Sequence, residues 1–138
     1  MANISQMFSE GVSINRPPLF AGENYLFWKI RMKIFLESID MGVWDAIVNG
    51  PFIPMHTINN VQVEKDFNLW TADENKKVQY DVRARYIISS AFTMEEFYKF
   101  STCKNAKEMW ETLEKAQESI EEHGHNNSKS NIRKYFNA

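Results

Sequence analysis

The side chains best suited to chemistry in this sequence are one thiol, three imidazoles and a few clusters of charge. Cys103, with His56, His123 or His125 as its base, would make a thiolate nucleophile. The run Ser101-Thr102-Cys103 reads more simply as a helix-entry turn filled by small residues. His123 and His125 flank Gly124 and could touch a metal, but two ligands fall short of a closed site, so they belong to a solvated tail. Lys129, Arg133 and Lys134 stand beside Tyr135 and Phe136, the mixture of cations and rings that single-stranded nucleic acid favours. The start of an amphipathic helix at Ile132, Tyr135 and Phe136 accounts for the same residues. Lys29 and Lys33 are i,i+4 neighbours that could reach a phosphate, with Arg31 pointing elsewhere; a solvated helix face is the simpler reading. Glu118, Glu121 and Glu122 likewise read as a solvated helix end. No nucleophile elbow, glycine-rich phosphate loop or H-E-x-x-H pair occurs. The expectation is a protein with no catalytic residues, metal, cofactor or small-molecule substrate.

What must position these groups is a core, and the composition supplies one. Among 138 residues there are four Trp, five Tyr and ten Phe, each ring able to remove roughly 150–250 Å² from water. The length suits one domain. A net charge of −2 gives no global field for a polyanion, so nucleic acid would need a local patch. A single cysteine cannot form an internal disulfide, which fits a reducing compartment. No apolar run reaches bilayer length, and the first residues lack the basic and apolar regions of a signal peptide. A cytoplasmic protein without a membrane partner is expected.

Residues 1–16 read as a loose arm ending near Pro17-Pro18, with Leu19 and Phe20 the first to dock. Residues 17–120 read as one all-α domain, a compact bundle of about five helices. A first helix is expected from about Asn24, as its cap, to Ile39, with Tyr25, Trp28, Met32, Phe35 and Ile39 sharing a face. Asp40 caps a second, carrying Val43, Trp44 and Ile47 and stopped by Gly50-Pro51. A small β-hairpin is expected near 52–64, turning at Ile58-Asn59-Asn60-Val61, its apolar residues packing over the helices. Thr71 with Glu74, Thr93 with Glu96, and Asn105 with Glu108 have capping-box spacing. They open a third helix with Val78, Val82, Ala84, Ile88 and Ala91 inward, a short fourth with Met94, Phe97 and Phe100, and a fifth with Met109, Trp110, Leu113 and Ala116. Residues 121–138 read as a polar tail or the start of an incomplete helix. Trp28, Trp44, Trp70 and Trp110 read chiefly as core, although so many large apolar residues also imply an exposed patch for a partner.

Three blocks carry a resemblance. Pro18, Phe20, Gly22, Asn24, Tyr25, Trp28, Lys29, Arg31 and Met32 follow the pattern that opens copia-type retrotransposon Gag polypeptides of plants. Val43-Trp44-Asp45 through Asn49-Gly50-Pro51 is similar to the next family block. Ser101 to Lys104, Ala106 to Trp110, and Leu113-Glu114 resemble the third, so residues 16–115 match in order and spacing. The resemblance implies a helical capsid-like module, with Tyr25, Trp28, Met32, Trp44, Trp110 and Leu113 as motif and core positions. It implies self-association into a particle that packages element RNA, with a copy of itself or another Gag-like chain as partner. In that family a cysteine-rich zinc knuckle usually handles the RNA, and one cysteine cannot build it, so RNA contact from this segment is expected to be weak. The chain departs from the family after Glu114, as a truncated Gag remnant, a fragment or a host gene derived from one would. Two rival expectations are a nucleic-acid-binding module using Lys129, Arg133 and Lys134, and a monomeric adaptor for another protein.

Overall fold

The computed structural model describes residues 16–20 and 22–121, the last three by their backbone alone. The described chain is a compact helical bundle with one small hairpin. In order, a 3-10 turn over Gly22–Asn24 leads into α1 (Tyr25–Ile39) and α2 (Met41–Asn49). Strands β1 (Met55–Ile58) and β2 (Val61–Glu64) follow, then a 3-10 turn over Phe67–Leu69. The chain continues through α3 (Ala72–Ser90), α4 (Met94–Tyr98) and α5 (Ala106–Glu121). Within the described residues no helix is long and apolar enough to cross a membrane. The arm at 1–15 and the tail at 122–138, with Lys129, Arg133, Lys134, His123 and His125, lie outside the described residues.

Local chemistry sets the helix boundaries. Asp40, extended at φ −172°, ends α1 by donating its N–H to Leu36 O and starts α2 by accepting from Gly42 N at 2.8 Å. One residue therefore satisfies orphan groups of two helices. Gly50 follows α2 at φ +91°, in the region open to glycine, and Pro51 prevents continuation. Thr71 with Glu74 and Thr93 with Glu96 both form reciprocal capping boxes. Asn105 accepts from Glu108 N at 2.9 Å, but Glu108 Oε2 takes the N–H of Lys104 instead of Asn105, so this third box is not reciprocal. Asn24 makes no side-chain cap bond, because the 3-10 turn runs straight into α1. The hairpin turns at Asn59 and Asn60, with φ +51° and +64°, the two positive values a type I′ turn demands and asparagine tolerates.

The core lies between α1, α2, α3 and α5. Although short, α2 packs on all three of the others through Val43, Ala46 and Ile47, each buried. Trp28 stacks on Trp110 with ring centroids 5.9 Å apart, and Trp44 meets Trp110 edge-on at 5.4 Å. The segment before α1 straps onto the same nest. Pro18 O accepts from Trp28 Nε1 at 2.8 Å, and Phe20 N donates to Ala91 O at 2.8 Å. The Phe20 ring packs on Trp28 and Phe92, while Leu19 between these anchors is exposed.

Several inward assignments change. In α1 the face is Tyr25, Trp28, Met32 and Leu36, while Phe35 is half-buried and Ile39 exposed; the chain turns away at Asp40, so Ile39 overhangs the core edge. In α3, Asp81, Ala84, Ile87 and Ile88 face in and Val82 is exposed, since it sits about 100° around the helix from position 81. In α5, Gln117 is buried and Ala116 exposed. The hairpin does not pack over the helices. Its strand residues are exposed save the half-buried His56, and it is anchored at its base by buried Pro54, the Lys65–Glu74 ion pair and a bond from Trp70 Nε1 to Lys65 O. In α4, Met94 and Phe97 point outward; of the expected set only Phe100, beyond the helix end, is buried.

Candidate functional site

Of the positions singled out in the sequence, Tyr25, Trp28, Met32, Trp110 and Leu113 are buried in the core. Trp44 is half-buried and shared between that core and the surface. Lys29 is not on a solvated face. It is 6% exposed, with Nζ 3.7 Å from Glu114 Oε1 and 5.7 Å from the centre of the Tyr25 ring. Its aliphatic stem packs between α1 and α5 while its head finds a carboxylate and a π face. The Cys103 sulfur lies 3.6 Å from Thr112 Oγ1, a contact that ties the entry turn to α5. Every buried side-chain polar atom among the described residues has a partner. Nor is any group of three His, Cys, Asp or Glu side chains placed to hold a metal among them.

Two surface features stand out. The first is an open cleft of about 830 Å³ between α2, the Gly50–Phe52 turn and α3. Trp44, Phe52 and Tyr80 line it, and two lysines rest on its rings. Lys33 Nζ lies 5.7 Å from the Trp44 ring centre and Lys77 Nζ 5.2 Å from that of Phe52. No local sequence pattern marks this cleft, because its walls come from three separate segments. Gly42 sets its floor: a Cβ there would lie 2.5 Å from the Tyr80 ring. Gly42→Ala should therefore displace that ring and cost about 1–3 kcal/mol by overpacking, outweighing a helix-propensity gain of at most about 1 kcal/mol. A lower urea midpoint, partly recovered in Gly42→Ala/Tyr80→Ala, is the expected measurement.

The second feature is the hairpin. Cross-strand partners share a face, and the register pairs Met55 with Glu64, His56 with Val63, Thr57 with Gln62, and Ile58 with Val61. One face is thus mostly polar, closed by the bond from Gln62 Nε2 to Thr57 Oγ1. The other carries Ile58, Val61 and Val63, an apolar β-branched surface, beside the half-buried imidazole of His56. A lone two-stranded hairpin is marginal in water, so its base matters. Lys65 Nζ sits 2.7 Å from Glu74 Oε1, and the Thr71 N–H donates to the same oxygen at 3.0 Å. The lysine first, then the backbone N–H, hold the Glu74 carboxyl below its ordinary range, against a smaller opposing push from desolvation. A carboxyl with a lower pKa when folded adds stability above its unfolded value and loses that addition as pH falls through its folded value. Acidification through and below the usual glutamate range should therefore loosen the hairpin base, seen as faster amide exchange in β1 and β2. Glu74→Gln should remove that pH step.

No protein-family model, curated protein or solved structure matches the chain.

Proposed function

We propose that this chain is a non-enzymatic, cytoplasmic assembly module of the copia-type Gag kind, which binds further copies of itself through apolar side chains held at its surface. The observation that carries this reading is the hairpin face of Ile58, Val61 and Val63. Each is more than a third exposed, at 47%, 59% and 39%, on an element that stands off a well-filled core. Apolar surface of this kind, collected on one element, marks contact with a partner. The resemblance across residues 16–115 supplies the expected partner, a like chain.

Sedimentation velocity at rising concentration tests it. Association should emerge by the hundreds of micromolar, as weak contacts require, and Ile58→Ser/Val61→Ser should reduce it without lowering the thermal midpoint. A strict monomer throughout that range would reject self-association. Such a monomer holding one foreign protein in fixed stoichiometry would be the adaptor instead.

A further inference from the structure

Helix α4 is unusual in showing all its large apolar side chains to solvent. Met94 is 72% exposed, Tyr98 66% and Phe97 37%. The capping box at Thr93 and Glu96 holds this turn in helical form through two reciprocal hydrogen bonds, so an apolar knob is displayed on a backbone already ordered before binding. Its charges are Glu95 and Glu96, against Lys99 one turn on. The cleft between α2 and α3 has the opposite character. Aromatic rings line it, Met41 and Val48 add exposed apolar surface, and Lys33 and Lys77 stand over it. Asp45 is its one acidic lining residue, and Asp73 shares Lys77 at 3.1 Å. The side chain of Lys107 also reaches the Gly50 edge.

Both surfaces belong to every copy, yet they stand at different ends of α3. Lys77 and Tyr80 lie in its first half, whereas α4 follows its last residue. From Lys77 to Ser90 the helix rises by about 20 Å, and no α4 residue lines the cleft.

Resting on the self-association proposed above, we infer that the α4 knob of one copy enters the α2–α3 cleft of the next. Met94 and Tyr98 lie against Trp44, Phe52 and Val48, with Glu95 facing Lys77. Such a contact is heterologous, joining unlike patches head to tail, and repeats into an open chain or a ring. The knob is smaller than the roughly 800 Å² per partner of a standard interface, so each contact is weak and many act together.

The test uses two variants of the full chain. One spoils the cleft (Val48→Glu/Lys77→Glu) and the other the knob (Met94→Ser/Glu95→Lys/Tyr98→Ser). All these side chains are exposed, so both variants should keep the parent circular dichroism and thermal midpoint. Met41→Glu serves as a second cleft variant should the first lose its fold. Sedimentation velocity is expected to show association weakened about tenfold or more in each variant alone. With the hairpin face also silenced by Ile58→Ser/Val61→Ser in both, their mixture should form a one-to-one pair, because one intact knob then meets one intact cleft. Variants that associate like the parent would overturn this interface while leaving self-association standing. Variants that both fail and do not pair when mixed would overturn the head-to-tail geometry. A parent that never associates removes the reading beneath both.

Discussion

Trp110→Ala should lower the unfolding free energy by about 3–5 kcal/mol, the range for truncating a buried tryptophan. Trp110 is 5% exposed and lies where α5 meets both α1 and α2. Its ring stacks on Trp28 on one side and takes the edge of Trp44 on the other, so its loss forfeits aromatic contacts as well as apolar burial. The void cannot collapse easily. Trp28 is tethered through Nε1 to Pro18 O, and Trp44 is fixed on α2, which is itself wedged against α1, α3 and α5. A domain of this size has roughly 5–15 kcal/mol to lose, so this single change removes a large share. A urea titration followed by circular dichroism should show the midpoint fall, with Trp110→Phe intermediate. Tyr86→Ala, at a residue 73% exposed, should stay within about 0.5 kcal/mol of the parent. Equal losses at Trp110 and Tyr86 would contradict a core centred on these three packed indoles.

What the sequence discloses and what it conceals divide along the range of the interactions. Thr71 with Glu74 and Thr93 with Glu96 can be read directly, because a capping box is complete within four residues. Asp40, Gly50-Pro51 and Asn59-Asn60 are legible for the same reason: each acts through its own backbone angles or its nearest neighbours. The bundle follows from these marks and from the apolar period. Residues whose fate depends on distant segments are not legible. Lys29 looks like one member of a solvated i,i+4 pair until α5 brings Glu114 beside it. Met94 and Phe97 sit at plausible inward spacing, yet a five-residue helix turns as a unit with its capping box, and its orientation is set by where α3 ends. The cleft is hidden altogether, since Lys33, Trp44, Phe52 and Tyr80 lie far apart in sequence and only packing of α2 against both α1 and α3 gathers them. The hairpin shows both sides of this division: its turn is written in two asparagines, whereas its stand-off from the helices is a tertiary outcome.

Asp81 is the sharpest case of a concealed residue, and removing its carboxylate should be the costliest polar change among the described residues. In the sequence it resembles the acidic half of a surface pair with Arg85, four residues on, worth only a few tenths of a kcal/mol. In the fold it is 5% exposed. Its Oδ1 accepts the N–H of Ala106 at 2.9 Å across 25 residues of sequence, and its Oδ2 accepts from Arg85 Nε at 2.9 Å. Ala106 is the first residue of α5 and wholly buried, so its N–H has no intrahelical acceptor and no water to turn to. Asp81 thus caps a helix from another helix, with its charge directed at the positive end of α5 and Arg85 holding its second oxygen. Asp81→Ala strands that donor and leaves a void, for an expected loss of about 2–3 kcal/mol. Asp81→Asn keeps a carbonyl acceptor for Ala106 while giving up the charge, so it should lose about half as much. The comparison separates a tertiary cap from an ordinary surface ion pair, which predicts small and equal losses for the two substitutions and for Arg85→Ala. Amide exchange at Ala106 gives an independent reading: protection there should collapse in Asp81→Ala and persist in Asp81→Asn.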